Sequence, residues 1–243
     1  MDSTESENFS IIVPIFHEAK NIPELIKRIA QINFGSRMFE VVLVDDDSRD
    51  GTEEIVHHLQ LQYPWLRLLV RKEKKGLSES VLEGFQQAKY PVWVIMDADL
   101  SHPPEKIPQM LAALAESHVD FVVGSRYVPG GSSDEMWPLL RRASSRLAAF
   151  IARILVAVPV RDPLSGFLAL KKEIVQTGDP IEPVGWKIGL EIMVKCRCRH
   201  IREVPIHFTQ RARGVSKLNL RVIFNYFRHV GRLAVFKLFS VSS

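Results

Sequence analysis

The amino-acid sequence predicts an α/β domain in which helices flank a mostly parallel β-sheet. Its strand candidates are short hydrophobic runs that alternate with amphipathic segments of helical length. The strand candidates are residues 10–16, 39–46, 65–70, 91–97 and 120–127, and the amphipathic segments are residues 22–32, 53–61, 77–88 and 104–115. Because these strand candidates are hydrophobic almost throughout, we expect them to be buried on both faces, as in a parallel sheet covered by helices. A further strand is predicted at residues 200–210.

Length and composition indicate one globular domain. The chain has 243 residues, of which 46% are hydrophobic and 25% charged, and it contains no repeat or linker that would divide it. We expect a disordered N-terminus at residues 1–8 and a catalytic domain at residues 9–217. Residues 218–243 are expected to form an amphipathic helix associated with a membrane.

The sequence also bears on location. The polar, acidic start lacks the features of a signal peptide, which favours a cytoplasmic protein. The longest nearly apolar run, residues 147–160, is interrupted by Arg153 and Pro159 and falls short of the roughly 20 residues that span a bilayer. Cys196 and Cys198 lack the second pair of a zinc site, so we expect reduced thiols.

Positive charge is concentrated near the C-terminus. The net charge is +4, but residues 195–237 contain 11 lysines and arginines against one acid, Glu203. This asymmetry indicates an anionic partner, namely phosphate, acidic lipid or nucleic acid. Because no RNA-binding or helix-turn-helix signature is present, we do not expect nucleic acid.

The last predicted helix, residues 218–239, carries a narrow polar stripe and a broad apolar face. The stripe falls at positions i, i+4, i+7 and i+11, which are Arg221, Asn225, Arg228 and Arg232. Such a helix suits a membrane surface. Packing against the domain or against transmembrane helices is the alternative, and the sequence alone leaves both open.

Asp97 and Asp99 stand two residues apart where the fourth strand candidate ends. Residues i and i+2 of an extended segment point the same way, so both carboxylates can approach one cation. Such hard oxygen ligands suit Mg²⁺ or Mn²⁺, which complete their shells with waters and substrate phosphates. The structural alternative is a strand end or helix cap, because Ser101 followed by two prolines is typical of a helix start.

Other polar groups follow the first two strand candidates: His17-Glu18 after the first and Asp45-Asp46-Asp47 after the second. The carboxyl ends of the strands form the ligand cleft of open α/β sheets, so these groups should converge with Asp97 and Asp99. Adjacent carboxylates resist burial, and we interpret one of them as a hydrogen-bond acceptor for a base or ribose. Capping of the next helix is the alternative.

A set of basic residues lies near turn signals and matches the geometry of phosphate recognition. Its members are Arg126, Arg141, Arg211, Arg213 and Lys217. For any one of them, a solvated surface position is the alternative explanation.

Six motifs follow one another along the chain. They are IVPIFHE at 12–18, VDDDSRDGT at 44–52, MDADLSHPPE at 96–105, GSRY at 124–127, DPLSGF at 162–167, and EVPIHF continuing to GVSKL at 203–218. Together they resemble the family 2 glycosyltransferases of GT-A fold, a Rossmann-like nucleotide-diphospho-sugar transferase fold. The last two motifs resemble the dolichol-phosphate mannosyltransferase (polyprenyl-phosphate sugar synthase) branch. The likeness covers residues 10–237.

The resemblance implies roles for the residues at matching positions. The nucleotide sugar would be held by Pro14, Phe16, Glu18, Val44, Asp46, Asp97, Ala98, Asp99, Arg126, Arg211 and Lys217. The metal would be bound by Asp97 and Asp99, and the catalytic set would be these two with Arg126 and Arg211. Arg141 and Ser145 match an arginine and a serine near the lipid phosphate. The chain departs from the family at His17, where Asn is usual, and at Ser101, where some members have Gln.

The resemblance further implies an inverting, metal-dependent transfer of a hexose to a polyprenyl (dolichyl or undecaprenyl) phosphate. Mannose from GDP-mannose is the preferred donor and UDP-glucose the alternative. The expected enzyme lies on the cytoplasmic face of a membrane, where many relatives have transmembrane helices or partner subunits. Transfer to a saccharide or protein is a second hypothesis. A non-catalytic basic module that binds membrane or nucleic acid is a third, but it leaves the acidic clusters unexplained.

Overall fold

A computed structural model of the chain describes residues 7–73, 76–134, 139–182, 187–209 and 220–240, with backbone alone for residues 139–142, 220–223 and 240. The strands are β1 (Phe9–Ile15), β2 (Phe39–Asp45), β3 (Leu66–Val70), β4 (Val92–Ile95), β5 (Phe121–Ser125), β6 (Ser132–Ser133), β7 (Leu168–Lys171), β8 (Ile201–Pro205) and β9 (His207–Phe208). The helices are α1 (Ile22–Ala30), α2 (Thr52–Gln60), α3 (Leu77–Gln87), α4 (Ile107–Leu114), α5 (Leu139–Val156), α6 (Lys172–Thr177), α7 (Ile188–Lys195) and α8 (Leu220–Ser240).

Seven strands form one sheet in the order β3-β2-β1-β4-β7-β5-β8. All neighbouring pairs are parallel except those of β7, which runs antiparallel to both β4 and β5. This confirms the predicted mostly parallel sheet. The direction of β7 and its position between β4 and β5 were not predicted from the sequence.

One predicted strand was wrong in its extent. Residues 200–210 were expected to form a single strand, but the chain leaves the main sheet after Pro205 and continues as β9, which pairs with β6. The break follows from local chemistry. Proline has no N–H for the ladder, and the next residue, Ile206, is fully buried and bridges Ser125 and Ser132 through its backbone.

The core lies on both faces of the sheet, as the hydrophobic strands predict. Alternate side chains of β1 point to opposite faces, so that Ile11 and Val13 join one apolar cluster and Ile12 joins the other. Helices α1, α2 and α4 cover the first cluster, and α3, α5, α7 and α8 cover the second. In α1 the buried residues recur at i, i+3, i+4 and i+7, the period of a helix with one apolar face.

Helix α8 is joined to the domain through buried charges as well as apolar contacts. The Glu191 carboxylate of α7 lies 3.0 Å from Lys195 Nζ and 3.2 Å from His229 Nε2 of α8. Lys237 Nζ donates to the carbonyls of Val156 and Ala157 at the end of α5. Burial raises the pKa of Glu191, but the close approach of His229 and Lys195 outweighs this effect and leaves the pKa below its usual value. One face of α8 is therefore packed against the domain.

The two cysteines are not nucleophiles. Neither forms a disulfide, and burial raises the pKa of Cys196 to about 11 and that of Cys198 to about 12. Because the thiolate is the reactive form, both side chains are inert at neutral pH.

None of the helices in the described ranges combines the length and apolar character that crossing a bilayer requires.

Helix α3 approaches the sheet closely at Gly84. A Cβ atom built there would lie 2.4 Å from the Cγ2 of Ile12, which is fully buried. We expect Gly84→Ala to lower the free energy of unfolding by about 1–2 kcal/mol, because overpacking outweighs the gain in helix propensity. Urea denaturation measures the change.

The matched control is Gly231→Ala in α8, where an added Cβ meets nothing within 4 Å. Here helix propensity acts alone and should raise the free energy of unfolding by about 0.5–1 kcal/mol. Changes of the same sign in both variants would contradict the tight contact at Gly84.

Candidate active site

The candidate site lies at the carboxyl edge of the sheet. Because β1 is placed between β2 and β4, the polar loops that follow these three strands are neighbours. Strand β7 runs the other way, so the loop that precedes it reaches the same edge: Leu168 is paired with Ile95 of β4 and Val123 of β5. A Cβ on Gly166 in this loop would lie 3.7 Å from both carboxylate oxygens of Asp97.

The two predicted metal ligands differ in their surroundings. The Asp97 side chain is 33% exposed, whereas Asp99 is buried. Asp99 accepts hydrogen bonds from the backbone N–H and the hydroxyl of Ser101, so Ser101 orients this carboxylate. Asp97 therefore remains the more accessible of the two oxygen donors.

His102 lies behind the pair and is almost completely buried. Its Nδ1 accepts the backbone N–H of Asp97 at 3.0 Å. The ring stacks on Phe167 and meets Phe208 edge-on, with centroid distances of 5.2 and 5.3 Å. Burial lowers the pKa of His102 and outweighs the opposite effect of Asp97 and Asp99, so the imidazole is neutral at pH 7.

These residues fit a divalent cation that takes part of its shell from a substrate. Both donors are carboxylates, and no group of three histidines, cysteines or acids that could hold a metal occurs within the described residues. Mg²⁺ and Mn²⁺ need no complete protein cage, because waters and phosphate oxygens supply their remaining ligands. Asp97 and Asp99 would hold such an ion.

The loops after β1 and β2 are hydrogen-bonded to each other. The backbone N–H of His17 donates to Ser48 Oγ at 2.9 Å, and that of Ala19 donates to Asp50 at 3.2 Å. Phe16 is 42% exposed and contacts the His17 ring. His17 has φ of 63°. Asparagine and histidine both tolerate this left-handed conformation, which accounts for histidine at this position.

The predicted nucleoside residues take different positions. Pro14 is half-buried in β1, Val44 is completely buried in the core, and Ala98 is buried as well. The Glu18 carboxylate accepts a hydrogen bond from Asn21 at the start of α1. The structure thus brings Phe16 and Glu18 to the edge of the sheet, whereas the Val44 side chain packs in the core.

Asp46 is buried and already has several partners. Its carboxylate accepts hydrogen bonds from Arg71 at 2.6 Å, from the Gly76 N–H at 2.7 Å and from Ser80 at 2.8 Å. It therefore connects β2 to the loop before α3. Its neighbour Asp47 is paired with the exposed Arg49.

Arg126 is held by a buried carboxylate. Its Nε and Nη2 both donate to Asp162 at 2.7 Å, and the backbone N–H of Arg126 donates to the same carboxylate. Burial lowers the pKa of Arg126, but the hydrogen bonds and charge of Asp162 outweigh this and raise it, so the guanidinium stays charged. Glu203 of β8 in turn accepts the N–H groups of Arg161 and Asp162.

Two contacts connect this arginine and the metal pair to the C-terminal half. Tyr127, which follows Arg126, is hydrogen-bonded through its hydroxyl to Ser145 of α5 at 2.9 Å. The backbone N–H of Thr209 donates to the Ser101 carbonyl, and its hydroxyl donates to that of Leu100. Thr209 is the last described residue before the basic segment.

Some predicted residues cannot be placed. Arg211, Arg213 and Lys217 lie outside the described residues, as do residues 1–6 of the N-terminus, and the Arg141 side chain is not described. Their roles stay predictions.

Sequence reasoning assigned no role to Arg71, His102 or Asp162, which hold Asp46, Asp97 and Arg126 respectively. His102 and Asp162 lie within the motifs at 96–105 and 162–167, so the sequence pointed to these positions. Arg71 lies 25 residues from Asp46 and outside all six motifs, so no sequence feature indicated its role.

Comparisons with known proteins agree with the fold. The sequence model described as Glycosyl transferase family 2 matches residues 10–178. The solved glucosyl-3-phosphoglycerate synthase from Mycobacterium tuberculosis, in complex with Mn²⁺, UDP and phosphoglyceric acid, superimposes with a TM-score of 0.70. That match covers 95% of this chain and 78% of the other at 17% identity, so it supports the GT-A fold and nothing finer.

Sequence relatives are more similar. The chain is 44% identical to a dolichol-phosphate mannosyltransferase of Pyrococcus furiosus over 92% of its own length, but it spans only 63% of that protein. It is 39% identical to the dolichol-phosphate mannosyltransferase of Saccharomyces cerevisiae, covering 96% of this chain and 89% of the relative. A polyprenol monophosphomannose synthase of Mycolicibacterium smegmatis is 32% identical, covering 86% and 80%.

The buried pair between Arg126 and Asp162 yields a stability prediction. Asp162→Asn leaves a buried guanidinium without its counter-charge, so we expect the free energy of unfolding to fall by about 3 kcal/mol. Denaturant unfolding followed by circular dichroism measures this loss.

Glu116→Gln is the matched control, because it breaks an ion pair with Arg202 whose side chains are 50% and 61% exposed. Its cost should stay below about 1 kcal/mol. Equal losses in the two variants would show that Asp162 does not balance a buried charge.

Proposed function

Since this chain belongs to glycosyl transferase family 2, we propose that it transfers mannose from a nucleotide diphosphate sugar to a polyprenyl phosphate. The relatives named dolichol-phosphate mannosyltransferase and polyprenol monophosphomannose synthase support this choice of sugar and acceptor. The structural observation that carries it is α5, whose Ser145 is hydrogen-bonded to Tyr127 beside Arg126 and whose following turns have an exposed apolar face.

The donor half of the proposal rests on the loops after β1, β2 and β4. Phe16 offers an exposed ring for stacking, and Asp46 fixes the loop before α3 through the Gly76 N–H. Asp97 and Asp99 would hold Mg²⁺ or Mn²⁺ against the diphosphate. When bound, the metal would neutralise the charge that develops on the departing nucleotide. GDP-mannose is the donor we propose, and UDP-glucose is the alternative.

The acceptor half rests on Arg126 and α5. Asp162 occupies Nε and Nη2 of Arg126, which prevents rotation of the guanidinium. Within the described residues, Nη1 has no hydrogen bond, so it is the nitrogen we assign to a phosphate oxygen. Arg141 and Ser145 belong to α5, and with Arg211 and Lys217 they complete the proposed phosphate-binding set.

The lipid chain would extend along the exposed apolar residues of α5 and α8. These two helices run side by side in the same direction: Tyr226 of α8 donates to the Ala148 carbonyl, and Lys237 reaches the end of α5. Their exposed large apolar residues are Leu147, Phe150, Ile154, Leu155, Phe224, Phe227, Val235, Leu238 and Phe239. Clustered exposed side chains of this kind are typical of membrane or protein contacts.

The chemistry we propose is a single displacement with inversion at the anomeric carbon. A lipid phosphate is already anionic at neutral pH, so it needs orientation more than a strong general base. The rigidly held Arg126 provides such orientation. In such a displacement the acceptor phosphate would attack the anomeric carbon from the side opposite the leaving diphosphate, and Asp97 and Asp99 would hold the metal that stabilises this leaving group.

We also propose that the enzyme acts on the cytoplasmic face of a membrane as a peripheral protein, alone or with transmembrane partner subunits. Exposed basic side chains on α5 and α8 favour contact with an anionic membrane surface; they are Arg146, Arg153, Arg228 and Arg232.

The transfer is tested with Mn²⁺, radiolabelled GDP-mannose or UDP-glucose, and detergent-solubilised polyprenyl phosphate. We expect label from GDP-mannose to enter the organic phase. Asp99→Asn should reduce this transfer at least about 100-fold, because the metal-binding pair loses one charge. Asp120→Asn, which changes a surface acid near β5, should leave the rate unchanged.

Label that stays in water-soluble saccharide or in protein would overturn the polyprenyl phosphate acceptor. The anomeric configuration of the lipid product, read by NMR, tests the displacement. A retained configuration would contradict inversion.

Membrane binding gives a separate prediction. Replacing Phe227 and Leu238 of α8 with serine should weaken co-sedimentation with phosphatidylglycerol vesicles at least about tenfold, because a large buried apolar side chain contributes about 1.5–3 kcal/mol. The control is Leu61→Ser, which removes an 83% exposed leucine at the end of α2. If this control lowers binding as much, the α8 face is not the membrane contact.

A further inference from the structure

His102 contacts the metal-binding pair through one ring nitrogen. Its Nδ1 accepts the backbone N–H of Asp97 at 3.0 Å and lies 3.8 Å from Asp97 Oδ2. A nitrogen that accepts a hydrogen bond carries a lone pair and no proton. This contact therefore requires one tautomer of the neutral ring, with its proton on Nε2.

The ring is also fixed from two other parts of the fold. It stacks on Phe167, which ends the loop before β7, and it meets Phe208 of β9 edge-on. Its Cε1 would lie 3.4 Å from a Cβ on Gly166. His102 thus connects the turn after β4 with two segments that are distant in the chain.

The turn that carries Asp97 and Asp99 depends on two such contacts. Ser101 holds the Asp99 carboxylate, and His102 holds the Asp97 backbone. Leu100, which lies between Asp99 and Ser101 in the chain, has φ of 65°, a left-handed conformation that is costly for leucine. Without an acceptor for the Asp97 N–H, the turn loses one of the bonds that set the direction of the Asp97 side chain.

We propose that His102 is a positioning residue for the metal-binding pair, and that its Nδ1 orients Asp97 by accepting the Asp97 backbone N–H. The proposal deepens the proposed function, on which it rests for the identity of the metal site. In this role His102 acts through Asp97 and would not itself bind the ion or the sugar. Its role belongs to the group of contacts that orient metal ligands from behind.

The test compares variants that keep different parts of the imidazole. His102→Phe keeps a ring for Phe167 and Phe208 but has no acceptor. His102→Asn loses the ring but places an amide oxygen close to the position of Nδ1. Mn²⁺ affinity is measured by electron paramagnetic resonance of free Mn²⁺ in the presence of GDP, without sugar or acceptor. Thermal unfolding is recorded for each variant.

We expect His102→Phe to weaken Mn²⁺ binding about 10- to 100-fold and His102→Asn to weaken it less than about threefold. A purely structural ring would give the opposite order. In turnover assays, His102→Phe should require correspondingly more Mn²⁺ for half-maximal activity, while kcat at saturating Mn²⁺ is largely restored. His200→Asn, at an exposed histidine after α7, should leave both quantities unchanged.

Wild-type affinity in His102→Phe would overturn the proposal, and so would an equal loss in His102→Asn at an unchanged unfolding temperature. If His102→Phe does not fold, the proposal is tested by comparing His102→Asn with His102→Gln. The amide oxygen of Asn lies near Nδ1 and that of Gln near Nε2, so the proposal requires tighter Mn²⁺ binding by His102→Asn than by His102→Gln.

The experiment separates this proposal from the proposed function. A wild-type protein that binds Mn²⁺ with GDP but does not transfer mannose to polyprenyl phosphate would refute the function and leave the His102 comparison valid. A wild-type protein that does not bind Mn²⁺ would refute the metal site and the role of His102 together.

Discussion

The antiparallel strand β7 is the constraint on which the candidate site depends. The other six strands of the sheet run in one direction, so that their carboxyl ends lie at the cleft edge, and a further parallel strand between β4 and β5 would deliver only another carboxyl end. Because β7 is reversed, it brings the preceding loop to this edge, in ladder register with Ile95 and Val123. That loop supplies Asp162 to Arg126, Phe167 to His102 and the small Gly166 beside Asp97.

The charged side chains at this edge are already held by ion pairs or hydrogen bonds within the protein. Asp46 is bonded to Arg71, Arg126 to Asp162, and Asp99 to Ser101. Each of these contacts restricts a side chain that would otherwise reorganise on binding. Groups held in this way stabilise a charged transition state with little reorganisation cost, which suits transfer from a diphosphate leaving group.

Helix α8 has one face buried against the domain and another face exposed, so the two alternatives raised by its sequence are compatible. Val230 and Leu233 are buried against the domain, and the buried His229 faces Glu191 of α7. Phe224 and Leu238 lie on another side and remain exposed. A helix that packs by one face leaves the second available for the membrane contact that we propose, and its neighbour α5 would connect that contact to the proposed phosphate-binding residues.

The sequence by itself determined the strand and helix pattern, the converging acidic loops and the family, because hydrophobic periodicity and short motifs are local properties. Asp97, Asp99 and Phe16 were found at the cleft edge for this reason. Only the tertiary structure decided the direction of β7, the break at Ile206 and the partners of Asp46, Arg126 and Asp97. The side-chain contacts of Asp46 and Arg126 alone join residues 25 to 36 positions apart, and strand order and direction, which local patterns do not encode, bring such residues together.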